Sequence, residues 1–242
     1  VIDLHAHVLP GLDDGPRDMD AAQALLRAAE ADGTRVIAAT PHLRADFPAV
    51  RVEELAPACE RVEAGLGAGS KLRIFSAAEM DIGWALEATD EQLRLASYGQ
   101  RGTDLLIETP HGPLPPHFED MLFRLAVRGF RLLLAHPELS RDFQGQPDRV
   151  KALVERGVLL QVTAASLLSG ARRSRHGRLA RQLVREQRVH VIASDAHSAG
   201  PWRPPGLAAG VAAAAELAPD LAGWLVGPAP AAILVGKPLP PR

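Results

Sequence analysis

Seven short apolar runs, each followed by a stretch patterned as a helix, set the limits on what this chain can fold into. The runs are Ile2–His7, Arg35–Thr40, Leu72–Ala78, Asp104–Glu108, Arg131–Ala135, Val158–Thr163 and Val189–Ser194. Strands buried on both faces read as near-continuous hydrophobic runs of this kind. Between them, Asp18–Asp32 carries apolar or small residues at Ala22, Leu25, Leu26 and Ala29, opens on a capping aspartate and closes at Gly33. Pro116–Arg128 and Pro147–Arg156 open with proline and stop before Gly129 and Gly157. Val50–Leu66 has a helical pattern that Pro57 is expected to kink or split. Gly206–Leu217 and Asp220–Val226 supply helices after the last run, and the tail Lys237–Arg242 reads as extended. Strand–helix alternation implies a parallel sheet with right-handed crossovers. Seven units in 242 residues predict one domain spanning residues 1–242, a closed or nearly closed α/β barrel, with an open doubly wound sheet as the alternative.

Composition narrows the function classes. Hydrophobic residues at 47% supply a sizeable core, and aromatics at 4% leave it to Ala, Leu and Val. A net charge of -2 offers no basic face for nucleic acid. Cys59 is alone, so no internal disulfide forms, which fits a reducing compartment. The opening residues show no secretion signal, and no apolar run is long enough to span a bilayer. The expectation is a cytoplasmic protein without membrane insertion.

Chemistry in parallel barrels sits where strands end. The first run ends in His5 and His7, which alternation puts on one face, and its loop carries Asp13 and Asp14. Later runs end in Pro41-His42, Ala78-Glu79, Ile107-Glu108 and Ala135-His136, and the last runs into Asp195 and His197. The sixth ends at Thr163 and contributes no ligand-type residue. Any one of these, alone, reads as a polar residue near water or a helix cap. Together, His5, His7, Asp14, His42, Glu79, Glu108, His136, Asp195 and His197 place nine metal-capable side chains at one rim. Buried ionisable groups are tolerated only when paired or ligated. Nitrogen and carboxylate donors without thiolates suit Mn²⁺, Fe²⁺ or Zn²⁺, and nine donors exceed the need of one ion, so two or three divalent ions are expected.

The ordered set His5-x-His7, Asp13-Asp14-Gly15-Pro16, Thr40-Pro41-His42, Ala78-Glu79, Glu108, Ala135-His136-Pro137-Glu138 and Ser194-Asp195-Ala196-His197 resembles the PHP (polymerase and histidinol phosphatase) superfamily. Within it the chain is similar to the bacterial manganese-dependent protein-tyrosine phosphatases of the CpsB/CapC/YwqE type. Gln161-Val162-Thr163-Ala164 and Arg203-Pro204-Pro205 also match. The resemblance implies a distorted (β/α)7 TIM-like barrel with a trinuclear centre. His5, His7, Glu79 and Asp195 would hold one ion, Glu79 would bridge to a second held by Glu108 and His136, and Asp14, His42 and His197 would hold the third. It implies hydrolysis of phosphotyrosine on a capsule or exopolysaccharide tyrosine autokinase, by in-line attack of a metal-bound hydroxide. Arg203, Asp195 and His42 carry the expected catalytic roles.

Arginine forks match phosphate oxygens. Arg203 corresponds to a phosphate-binding arginine of the family. The family often has His-x-Glu-Arg after the fifth strand, but Leu139 stands where that arginine is expected, leaving Arg141 and Arg44 as further candidates for substrate binding. Cys59 lacks a Cys-x5-Arg phosphate loop, which disfavours a cysteine mechanism. The alternatives are a phosphatase or phosphodiesterase for small phosphoesters, of the histidinol-phosphate kind, and a non-catalytic binding module; retention of all nine ligands argues against the last. The arginine run from Arg172 to Arg188 reads as a solvated helix face, with docking of an acidic partner as the sharper alternative. His190 reads as structural, His176 as a helix-start residue, His111 and His117 as surface loop residues with a substrate rim as the alternative, Asp13 as a turn former, and Trp202 either as flanking an aromatic substrate ring or as loop packing.

Overall fold

A computed structural model describes residues 1–242. Nine strand segments run in parallel: β1 (Ile2–Ala6), β2 (Val36–Ala39), β3 (His42–Leu43), β4 (Arg73–Ser76), β5 (Glu79–Met80), β6 (Asp104–Glu108), β7 (Arg131–Ala135), β8 (Leu159–Thr163) and β9 (Val191–Ala193). They form a sheet ordered β1-β2-β4 and a sheet ordered β3-β5-β6-β7-β8-β9. The seven expected staves are present, because β2 with β3, and β4 with β5, are halves of broken staves. The pairing of these two staves survives the break: Val36 faces Arg73 and His42 faces Glu79, bridged by Ala77 N–H to Ala39 O and Glu79 N–H to Pro41 O. Only the neighbour changes, β1 flanking the lower halves and β6 the upper. The ring closes where Asp195 N–H donates to His5 O and His7 N–H to Ala196 O, both at 2.8 Å. The result is a distorted barrel, as expected.

Two apolar layers hold it. Leu4, Ala38, Ala77, Leu106, Leu133, Leu159 and Val191 fill the barrel, with Tyr98 donating its hydroxyl to Leu4 O at 2.9 Å and Ile233 and Leu234 sealing one end. A larger layer lies between strands and surrounding helices and includes Leu25, Leu55, Phe118, Val150 and Leu183. The helix Met19–Ala31 is capped by Asp18, whose side chain accepts from Ala21 N–H, and it buries Ala22, Leu25, Leu26 and Ala29. Phe118–Val127, Pro147–Glu155 and Leu207–Ala215 fall within their predicted spans.

Two local expectations are corrected. Pro57 kinks nothing: it occupies the first turn of the helix Leu55–Gly65, where its missing N–H has no intrahelical partner to lose. The stretch splits earlier, into a 3₁₀ turn over Val52–Glu54 and that helix. The tail of the arginine run is also not uniformly solvated. On the helix Arg175–Arg185 the side chain of Arg181 turns inward and donates to Leu167 O at 3.0 Å.

That helix approaches the preceding loop so closely that a Cβ on Gly177 would stand 2.0 Å from Ala171 O. A Gly177→Ala variant is therefore expected to lose stability by about 1–3 kcal/mol despite its better helix propensity, read as a lowered denaturant midpoint. An unchanged or raised midpoint would show that the loop yields freely.

Candidate metal centre

β1 delivers His5 and His7, and it does so through an irregularity. Its register with β2 gains a residue between Asp3 and Ala6, and this bulge re-aims the strand end. The two Nε2 atoms stand 3.3 Å apart. β3 begins with His42, β5 begins with Glu79 and β6 ends with Glu108, so the stave breaks lie immediately before two of these side chains. His136 follows β7, and Asp195 and His197 follow β9. All are buried except Asp14, whose side chain is 38% exposed.

Glu79 is the hub. Its Oε1 lies 2.8 Å from His136 Nε2, and its Oε2 lies 3.1, 3.2 and 3.4 Å from His42 Nδ1, His5 Nε2 and His7 Nε2. Asp195 Oδ1 lies 3.5 Å from His5 Nε2 and 3.7 Å from His7 Nε2. Asp14 Oδ1 lies 3.2 Å from His197 Nε2 and 3.6 Å from His42 Nε2. Ligand atoms within 4.8 Å of one another fall into four overlapping groups: His7, Asp14, His42 and His197; His5, His7 and Asp195; His5, Glu79 and His136; His42, Glu79 and Glu108. The nine predicted ligands are thus neighbours, but the grouping departs from the one the resemblance implies: Glu108 sits with His42, and His136 with His5.

The donor set fits divalent cations. Buried His42 Nδ1, Glu79 Oε2, Asp195 Oδ1 and His197 Nε2 make no hydrogen bond within the protein. They face one another only as close ion pairs, and a crowd of buried donors and acceptors without hydrogen bonds is the arrangement that a cation between them satisfies. Imidazole nitrogen with carboxylate oxygen and no thiolate suits Mn²⁺, Fe²⁺ or Zn²⁺. The electrostatics agree. Burial would pull His7 down, but Asp13 and Glu79 outweigh it and hold it up at about 10. His136 is held at about 9 against burial by Glu79 and Asp195. Burial would raise Glu79, yet His5 and His136 keep it well below the usual carboxylate range, while burial and the charge of Glu79 push Glu108 up.

A supporting layer orients these side chains. Asp13 does shape the turn, accepting from Gly15 N–H at 3.0 Å, but its other oxygen takes His7 Nδ1 at 2.6 Å and His42 N–H at 3.1 Å. Gln161 on β8, a strand without ligand-type residues, lies 3.0 Å from His5 Nδ1 through Oε1 and accepts from His136 N–H. Glu138 receives Thr163 N–H, and buried Asp3, pushed up to about 6 by burial, receives the amides of His5 and Ser194. His136, Asp195 and Arg203 all have left-handed backbones (φ 34, 55 and 48°), strain that clusters at functional sites. Gln161→Ala is expected to keep the fold and weaken cation binding about 10–100-fold, the usual effect of losing an outer partner of a ligand histidine. Isothermal titration with Mn²⁺ checks this, and unchanged affinity would deny Gln161 that role.

The rim separates the arginine candidates. Arg44 donates to both oxygens of Glu108, at 2.8 and 3.0 Å, and Arg203 donates to Asp195 Oδ2. Arg141 is exposed at the start of the helix Arg141–Gly145 and pairs with none of the nine. His111, 57% exposed, stacks on His136 with ring centroids 5.4 Å apart. Phe47 lies parallel to His42 at 5.3 Å. His117 pairs with Asp120 on an exposed helix start, and His190 is structural, its Nδ1 accepting Leu160 N–H.

Residues 1–218 match the family described as capsular polysaccharide synthesis, CpsB/CapC. The chain belongs to the CpsB/CapC family. It is 31% identical to the tyrosine-protein phosphatase YwqE of Bacillus subtilis over 208 residues, covering 82% of this chain and 78% of that protein. To the tyrosine-protein phosphatase CpsB of Streptococcus pneumoniae it is 26% identical, covering 82% and 83%. Among solved structures, one chain described with YwqE from Bacillus subtilis and CpsB from Streptococcus pneumoniae as metal-dependent tyrosine phosphatases superimposes with a TM-score of 0.85 at 24% identity, over 99% of this chain and 96% of that one. The lactonase Lmo2620 of Listeria monocytogenes shares the fold more distantly, with a TM-score of 0.53 at 13% identity over 93% and 94% of the two chains. The barrel and its family are therefore those the motifs pointed to. No helix is long and apolar enough to cross a membrane.

Proposed function

We propose that this chain is a divalent-cation-dependent phosphatase that removes phosphate from phosphotyrosine in a protein segment, with two or three cations, Mn²⁺ first among them. The observation that carries this is the convergence of nine imidazole and carboxylate side chains at one rim, with a guanidinium beside them. Family membership supports it, since relatives of this chain are tyrosine-protein phosphatases. The natural substrate on this reading is a phosphorylated tail, such as that of a capsule tyrosine autokinase, in the cytoplasm. An open rim, where His111 and Trp202 are more than half exposed, suits a protein segment better than a small metabolite.

The four groups are the places where cations fit, with Glu79 common to two and His5, His7 and His42 each common to two. Cations held there supply neutralisation of the phosphoryl charge and make water nucleophilic at neutral pH. The chain's own residues do the rest. Were Asp195 and Glu108 to hold cations, Arg203 and Arg44, which donate to them here, would be the guanidinium forks left to meet phosphate oxygens. Asp13 and Gln161 fix the orientations of His7 and His5. Cys59 takes no part: it is buried, and burial with Glu63 and Glu60 pushes its thiol up to about 12, so no thiolate forms at neutral pH.

The test is phosphate release by purified protein in Mn²⁺, Fe²⁺ or Zn²⁺, with EDTA as control. The expected order is phosphotyrosine peptide well above phosphoserine peptide and histidinol phosphate. No release in any metal, or a preference for the small metabolite, would overturn the assignment. Arg203→Ala is expected to raise KM for the phosphotyrosine peptide about 10–100-fold, the worth of a charged hydrogen bond of roughly 1.5–3 kcal/mol. An unchanged KM would remove Arg203 from phosphate binding.

A further inference from the structure

We propose that Trp202 is the wall against which the aromatic ring of the substrate lies, making the site selective for aryl over alkyl phosphates. The inference deepens the phosphatase reading and rests on it. Trp202 is 55% exposed, an unusual state for an indole, and it is the large hydrophobic residue so placed beside the metal-centre candidates. The loop that carries it is held in place. His197 N–H donates to Arg203 O at 2.8 Å, and Ser198 Oγ donates to Trp202 O. Its indole stands edge-on to the His197 ring, with centroids 5.3 Å apart and an interplanar angle of 81°. The guanidinium carbon of Arg203 lies 5.8 Å from the indole centroid. The residue therefore borders both a candidate cation ligand and the candidate phosphate-binding arginine.

The geometry dictates what a substrate meets there. A phosphoryl group gripped by Arg203 and by cations at the His7, Asp14, His42 and His197 group lies next to the indole. In phosphotyrosine a single ester oxygen separates phosphorus from the ring, so the ring falls within reach of the tryptophan. In phosphoserine the same position holds one methylene and then backbone. Aromatic pairing adds about 0.5–1.5 kcal/mol beyond area burial, or roughly a two- to tenfold preference.

The test uses metal-loaded wild type, Trp202→Ala and Trp202→Phe. Two unreactive probes, inorganic phosphate and phenylphosphonate, are titrated calorimetrically, and KM and kcat are measured on a phosphotyrosine peptide. Trp202→Ala is expected to weaken phenylphosphonate about fivefold and raise the peptide KM to match, while leaving inorganic phosphate and kcat within about twofold. Trp202→Phe should restore most of the loss. Of the three tryptophans, Trp224 is buried against the C-terminal tail and Trp84 lies on the helix Ile82–Glu87, so fluorescence quenching by phenylphosphonate should vanish in Trp202→Phe. Equal weakening of both probes would mean that Trp202 only positions Arg203 and would overturn the proposal, as would no change with either. Selective binding of phenylphosphonate without any hydrolysis would instead overturn the phosphatase reading and leave the ring wall standing.

Discussion

Glu79→Gln is expected to abolish turnover by roughly 10³-fold or more, because a cation contributes several kcal/mol to a phosphoryl transition state and the variant loses the carboxylate common to two groups. The amide fills the same volume, so packing against His5, His7, His42 and His136 is retained. What is lost is charge. An amide nitrogen facing the imidazoles repels rather than holds a cation, and both His5–His136 and His42–Glu108 are left without their shared partner. The bound metal counted by elemental analysis should fall with the rate, while circular dichroism stays native. Full metal content with wild-type rates would remove Glu79 from the centre.

Chelation should invert the pH profile of stability. In the metal-free protein His7 and His136 are held at about 10 and 9. A histidine raised in this way stabilises the fold fully below its unfolded value of 6.5 and ceases to do so as pH climbs through the folded value. The chelated protein is therefore expected to lose melting temperature between pH 7 and pH 10. The loaded protein should not, because its imidazoles are already neutral ligands; it should instead shed metal as pH falls and protons compete for the same nitrogens. Thermal scans of both forms across this range, with bound metal quantified at each pH, decide the matter. Identical profiles with and without EDTA would mean that no cation engages these histidines.

Most of the candidate ligands are legible because they stand at or just past the end of an apolar run, where a strand hands over to a loop. Spacing along the sequence could place His5 beside His7, but not Glu108 beside His42. That adjacency depends on β3 pairing with β5 and β5 with β6 after the staves break. Pro41, directly after the run Arg35–Thr40, is a sign of the first of those breaks, since proline removes a ladder donor, and the second break has no such mark. Gln161 enters the sequence reading only as part of a family match, without a role, because it looks like a strand residue among Leu159, Leu160 and Val162. A buried amide among apolar neighbours is itself a signal, for it must find a partner. The short helices Asp90–Ala96 and Ala164–Leu167 are too brief to show a period. Arg44 and Arg141 were indistinguishable as letters and were separated only by where the chain turns.

The first strand and the last meet at His5–Asp195 and His7–Ala196, and both bring ligand-type side chains to that seam. A chain emerging from the ribosome would thus carry an incomplete set until residue 197 is free to fold. Ions that bind only the finished arrangement stabilise it by mass action. They would act as a clasp, fastened last, that keeps the first and last strands of the barrel from parting.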